Sequence, residues 1–236
     1  MGNIKGIIFD YGGTIDSRGV HWSEVIWDGS RNAGVGIDKN TFRDAYVYAE
    51  RELAKVRHIM PEDNFHTLLL KKMEIELGWL AANGHISAAE AERLAPVIAL
   101  YCYERARECV EEARPVLDTL KARGIPMVLV SNFYGNVQAV LADFDLLRYF
   151  DSIVESAVVG VRKPDPQIFR LGVEALGLRP EEVLVVGDSY KKDILPAESI
   201  GCRVAWIKGK GWTADEDAVT HPSIIANIGE VLKAAF

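Results

Sequence analysis

The chain has little of what marks secreted, membrane-bound or nucleic-acid-binding proteins. Cysteine occurs three times in 236 residues. The number is odd, and Cys102 and Cys109, if they share a helix, stand about 10 Å apart along it, too far for a bridge. A disulfide framework is not expected, and a reducing compartment is. No apolar run approaches the ~20 residues that a bilayer span requires, and the longest, Ala95 to Cys102, is broken by Pro96. Positive charge is not in excess, since 27 Lys and Arg face 34 Asp and Glu for a formal −7. That balance disfavours a footprint on a phosphate backbone or an anionic membrane, so neither nucleic acid nor membrane is an expected partner. The opening MGNIKGIIFD has no apolar stretch behind a basic start, and Gly6 stands where a myristoylation signal would want Ser or Thr. A cytoplasmic location is the expectation. Internal repeats and low-complexity segments are also missing, and a 49% hydrophobic content is enough to bury a sizeable core.

The order of patterns along the chain sets the architecture. Ile4 to Asp10 is a β-branched and aromatic run ending in a carboxylate, followed by the turn-formers Tyr11-Gly12-Gly13-Thr14. From about Trp22 to Val110 only helical spacing appears, and Ser87 with Glu90 forms a capping box ahead of the last helix of this stretch. After Pro115 short apolar runs at Met127–Val130, Asp151–Val154, Val183–Val186 and Arg203–Ile207 alternate with helical segments. One of those helices should be capped at Asp165-Pro166 and close at Gly177. Repeating βα units imply a parallel sheet with helices on both faces, and the first strand should join it. The expected fold is α/β, a Rossmann-like three-layer core made of residues 1–16 and 111–236, with a helical module, 17–110, inserted after the first strand.

In an open parallel sheet, ligands collect at the carboxyl ends of the strands. There the first strand delivers Asp10 and the Met127 strand delivers Ser131-Asn132. Lys163 follows the Ser152 strand, and the Val183 strand delivers Gly187-Asp188-Ser189 with Asp193 beyond. Taken singly, each has a plainer account as a turn, cap or loop residue. Together they combine hard oxygen ligands, a hydroxyl donor and a fixed cation.

With these residues in that order, the sequence resembles the haloacid dehalogenase-like superfamily, in its subclass with an α-helical cap. The likeness spans essentially the whole chain and includes KPDPQIF at Lys163–Phe169 and a GDxxxxD pattern from Gly187 through Asp188 to Asp193. The resemblance implies that Asp10 is a nucleophile that takes a phosphoryl group. It implies Mg2+ held by the Asp10 carboxylate, the backbone carbonyl of Gly12 and Asp188, with Asp193 orienting these ligands. It further implies that Gly13, Thr14, Ser131, Asn132 and Lys163 hold phosphoryl oxygens, with Lys163 also offsetting the crowded carboxylates. The implied substrate is a small phosphorylated metabolite. Asp165, placed before Pro166, is a helix cap and has no catalytic role.

One position departs from the pattern. Most phosphatases of this superfamily carry a second aspartate two residues after the nucleophile, where it protonates the leaving alcohol; here that residue is Gly12. Asp16 is the nearest downstream carboxylate for a substitute acid and base, against a plainer role as a turn aspartate, and His21 is a further proton-transfer candidate. Other chemistries also dispense with that aspartate. Haloacid dehalogenases use the nucleophile on carbon without a metal, and phosphonate hydrolases use a cap lysine as a Schiff base, for which Lys39, Lys55, Lys71 and Lys72 are available, although solvated helix faces account for these lysines better. A phosphometabolite-binding protein that has lost turnover is a third alternative. Cap residues such as Arg57-His58 and His21-Trp22 are candidates for leaving-group contacts, against a plainer role in closing the core.

Overall fold

The structure is a computed structural model that describes residues 4–236; the first three residues of the expected core segment lie outside the described residues. Strand β1 (Gly6–Phe9) is followed by four helices, α1 (Trp22–Asn32), α2 (Lys39–Lys55), α3 (Phe65–Ala82) and α4 (Ala88–Ala122). Then come β2 (Met127–Ser131), α5 (Val137–Asp143), β3 (Ser152–Glu155), α6 (Ser156–Val159) and α7 (Gln167–Leu176). The chain continues through β4 (Val183–Gly187), a π-helical turn at Tyr190–Ile194, α8 (Leu195–Ser199) and β5 (Arg203–Ile207). It closes with α9 (Ala214–Ala218), β6 (Ile224–Ile225) and α10 (Val231–Ala235).

The six strands form one parallel sheet in the order β3-β2-β1-β4-β5-β6. Its middle strands are buried on both faces, which is why they read as unbroken apolar runs rather than as alternation. The pleat divides them between two cores. Ile7, Phe9, Leu129 and Val186 pack on the side that includes α3 and α4, whereas Ile8, Val128 and Val185 pack against Phe169 and Val173 of α7. The expected three-layer α/β arrangement is what the chain adopts. Strand β6 was not expected, because two residues carry no measurable period; the Trp206 amide donating to the Ser223 carbonyl at 2.9 Å leads into it.

Local chemistry sets the helix starts. Asp38 accepts from the amides of Asn40 and Thr41, Asn64 from that of Thr67, and Ser87 with Glu90 forms the expected capping box. Asp165 accepts from the Gln167 amide at 2.9 Å, and Gly177 closes α7 at φ +64. Helix α4 runs through Pro96 and Pro115. Each proline removes an N–H from the helix ladder, but Leu94, Ile98, Val116 and Leu117 on either side are buried, so packing holds the helix together. Residues 110 and 111 lie inside this one continuous helix.

Because β1 sits between β2 and β4 in near-level register, with Ile8 opposite both Val128 and Val185, the residues following all three strands emerge at one edge.

Candidate active site

At that edge the side chains meet. Ser131 donates its hydroxyl to Asp10 Oδ1 at 3.0 Å, and Lys163 Nζ lies 2.8 Å from the same oxygen. Lys163 Nζ also contacts Asp193 Oδ1 at 2.6 Å, and Asp193 Oδ2 accepts from the Ser189 amide at 3.0 Å. Asp10, Asp188 and Asp193 offer carboxylate oxygens that lie within 4.8 Å of one another, a spacing that could hold a metal ion. Lys163 is itself placed by Asn132, whose side chain accepts from the Lys163 amide at 2.9 Å and donates to its carbonyl at 3.1 Å. The Asn132 side chain therefore locks the lysine.

The loop after Asp10 is shaped around Asp188. Gly13 has φ +95, and a Cβ there would lie 2.3 Å from the Asp188 carboxyl carbon. Thr14 donates its hydroxyl to Asp188 Oδ1 at 3.4 Å. The Gly13 amide donates to Asp16 Oδ1 at 2.7 Å, so in this conformation it points at a carboxylate. Gly12 is different, because a Cβ built on it meets nothing within 4 Å. Asp16 is buried and also accepts from Trp22 Nε1, at 3.2 Å on Oδ1 and 3.1 Å on Oδ2. Trp206, which the sequence reading passed over, donates from Nε1 to the Asp188 carbonyl at 2.6 Å. Its place one residue before the end of β5, itself a strand tip, was the available signal.

Burial and crowding set the charges. Burial pulls the Lys163 ammonium down, but Asp10 and Asp193 more than offset it and raise its pKa to about 12. Asp188 is pushed well above the usual carboxylate range, first by burial and then by Asp193 and Asp10. Burial raises Asp16 to about 8, against the lowering effect of the Gly13 and Trp22 hydrogen bonds. Its carboxyl group is thus mostly protonated at neutral pH. Asp193 is raised too, first by burial and then by Asp10, against the lowering effect of Lys163, so ionising these neighbouring carboxyls is costly until a cation offsets their repulsion.

These groups open into a cavity of about 960 Å3 whose far wall comes from the helical insertion. His21, Tyr46, Glu50, Lys72 and the Arg57-His58 pair line it, together with Tyr134 from the core. Lys72 is not on a solvated helix face. It is buried, pairs with Glu50 and lies 4.5 Å above the Tyr46 ring. Burial lowers its pKa, but Glu50 prevails and holds it well above the usual lysine value. Lys39 pairs with Glu24 at 2.6 Å and Lys71 with Asp63 at 2.5 Å, and neither lines the cavity, whereas Lys55 does. His21 accepts from the Ser23 amide through Nδ1 as the cap of α1, and burial followed by the charges of Lys192 and Lys72 lowers its pKa to about 4. Its ring is neutral at physiological pH.

A family model for haloacid dehalogenase-like hydrolases matches residues 4–201. A phosphoserine phosphatase of Thermus thermophilus is 30% identical over 145 residues, 56% of this chain and 58% of its own. The chain spans about half the length of the curated relatives it matches. Among solved structures, a protein described as a predicted phosphoglycolate phosphatase from Haemophilus somnus shares the fold across 100% of both chains, with TM-score 0.59 and 21% identity. A dehalogenase shares it over 99% of this chain and 98% of its own, with TM-score 0.64 and 18% identity. Proteins named for cleavage at phosphorus and at carbon thus share one scaffold, and the side chains at the strand tips must separate the two chemistries.

Proposed function

Because the chain belongs to the haloacid dehalogenase-like hydrolases, we propose that it is a magnesium-dependent phosphatase of a small phosphorylated metabolite, working through a phosphoryl group carried on Asp10. The observation that carries this reading is the cluster of Asp10, Asp188 and Asp193 around Lys163. Its hard oxygen donors, within 4.8 Å of one another and crowded enough to raise Asp188 and Asp193, fit a divalent cation that would relieve the crowding. Among the described residues no cation lies within ion-pair distance of Asp188, and the Thr14 hydroxyl is its only side-chain hydrogen-bond partner. Asp10, Asp188 and the Gly12 carbonyl would hold Mg2+, and Asp193 would orient them. The ion supplies charge neutralisation for two anions brought together and orients the phosphoryl oxygens.

The chain's own residues do the rest. Both the Ser131 and the Lys163 contacts fall on Oδ1 of Asp10, leaving Oδ2 to attack phosphorus as the bond to the leaving oxygen breaks. Lys163 and Ser131 then hold phosphoryl oxygens as charge moves onto them. Water cleaves the acyl phosphate, returns the carboxylate and releases phosphate. Residues 17–110 act as the cap and the remainder as the catalytic core, with the cap wall selecting the leaving group. Asp16, tied to Gly13 and Trp22, braces the loop. A Schiff-base route through Lys72 is disfavoured because Lys72 is held as an ammonium by Glu50, and the route requires a free amine. Metal-free dehalogenation is disfavoured because Asp10, Asp188 and Asp193 bring carboxylate oxygens together at metal-ligand spacing.

A panel of phosphate monoesters, acyl phosphates and phosphonates, assayed with and without Mg2+, tests the reading. Acid quenching during turnover should leave phosphate on the peptide that holds Asp10. Turnover that survives chelation with no phosphate on that peptide would overturn it.

A further inference from the structure

We propose that the rim of the cavity is a subsite for a second anionic group carried by the leaving part of the substrate, an inference that rests on the phosphatase reading above. Five cationic side chains from three separate segments converge on this rim. Lys55 and Arg57 come from the end of α2 and the connection to α3, Arg162 from the loop ahead of Lys163, and Lys191 and Lys192 from the π-helical turn after β4. All five are exposed, although their neighbours Lys163 and Asp193 are buried in the carboxylate cluster. Adjacent residues thus serve two places, the buried ones the phosphoryl end and the exposed ones the mouth.

None of the five has a carboxylate partner within ion-pair distance among the described residues. Elsewhere the cations of this acidic chain are commonly paired, as Arg18 is with Glu112, Lys39 with Glu24 and Lys71 with Asp63. The acids that line the same part of the cavity are already engaged. Glu50 holds Lys72, Glu216 accepts from the Trp212 amide at 2.8 Å, and Asp217 accepts from the Gly211 amide at 2.7 Å. The partners of Glu216 and Asp217 are neutral amides that leave their charges in place, but five cations outnumber two carboxylates, so the mouth presents net positive charge. Lys192 adds to burial in keeping the half-buried His21 neutral against the opposing charges of Glu216 and Glu50. A neutral leaving group would gain nothing from this arrangement. One bearing a carboxylate or a second phosphate would be drawn in and oriented with its phosphate ester toward Asp10.

Calorimetric binding to the wild-type protein with Mg2+ present, using propylphosphonate, 3-carboxypropylphosphonate and propane-1,3-bisphosphonate, tests this without turnover. At low salt the second charge should tighten binding about tenfold, and added NaCl should erode that advantage. The carboxylate and bisphosphonate arms show which anion the rim prefers. In a double variant, Arg57→Gln with Arg162→Gln, the advantage should shrink toward onefold while propylphosphonate affinity holds. Equal affinity for all three ligands in the wild type, or equal losses for all three in the variant, overturns the subsite and leaves the phosphatase reading standing. Binding of none of them overturns the phosphoryl cradle and the subsite with it.

Discussion

A Cβ on Gly13 would stand 2.3 Å from the carboxyl carbon of Asp188, so the first turn after the nucleophile and the tip of β4 fit together only because one of them lacks a side chain. Gly13→Ala must both push Asp188 aside and abandon a φ of +95. The expected result is loss of magnesium affinity and at least a ~100-fold fall in kcat/KM, since displaced ligands cost electrostatic stabilisation of the transition state. Gly12→Ala, one residue away in open space, should change either quantity less than about threefold, within the range of a harmless surface change. Calorimetry and steady-state kinetics on the pair check this, and equal losses in both would count against the proposed ligand geometry.

Asp188 is crowded by Asp10 and Asp193 in a buried setting, an arrangement that serves cation binding at the expense of the empty fold. Asp188→Asn is expected to abolish Mg2+ binding while raising the melting temperature of the metal-free protein by about 2–4 °C, the shift that ~1 kcal/mol gives at this size. Mg2+ should raise the wild-type melting temperature and leave that of the variant unchanged. Melting scans with chelator and with Mg2+ decide it.

The missing aspartate at Gly12 predicts selectivity among leaving groups. Without a positioned acid, rates should fall steeply as leaving-group pKa rises, favouring acyl and aryl phosphates over alkyl ones. Gly12→Asp has room for its side chain and should accelerate alkyl phosphate cleavage by up to the about 10²- to 10⁴-fold that a general acid contributes. Asp16→Asn separates the brace from an acid, because Oδ1, which asparagine keeps, accepts from both Gly13 and Trp22, and only the Trp22 bond to Oδ2 is given up. The variant should keep the wild-type slope of rate against leaving-group pKa. A shallow slope in the wild type that steepens in Asp16→Asn would make Asp16 the acid.

Glu76 gives a pH dependence of stability outside the catalytic centre. It is buried, its Oε2 has no hydrogen-bond partner among the described residues, and burial raises its pKa from 4.5 to about 8. The folded state therefore binds this proton more tightly than the unfolded state. Its contribution is complete below pH 4.5 and is lost as pH rises toward 8. Glu76→Gln should flatten that decline and leave the variant more stable than the wild type at pH 8.5, by on the order of 1 kcal/mol. Thermal melts from pH 5 to pH 9 measure the difference, and parallel curves would sink the assignment.

The architecture was largely legible in the amino-acid order. The unbroken apolar runs of β1, β2 and β4, the Ser87–Glu90 box and the Asp165 cap are local features, set by burial on both sheet faces and by backbone donors within a few residues. The polar residues beyond the strands could be named for the same reason, since a parallel sheet exposes its carboxyl ends. Tertiary structure alone decided the rest. It showed that a side chain fits at Gly12 and not at Gly13, that Asn132 holds Lys163, and that Lys72 is a buried ammonium rather than a solvated one. It also brought Arg57, Arg162 and Lys192 to one rim from distant parts of the chain. Such relationships depend on distances between segments that no local spacing encodes, and burial shifts a charge only once those segments have closed around it.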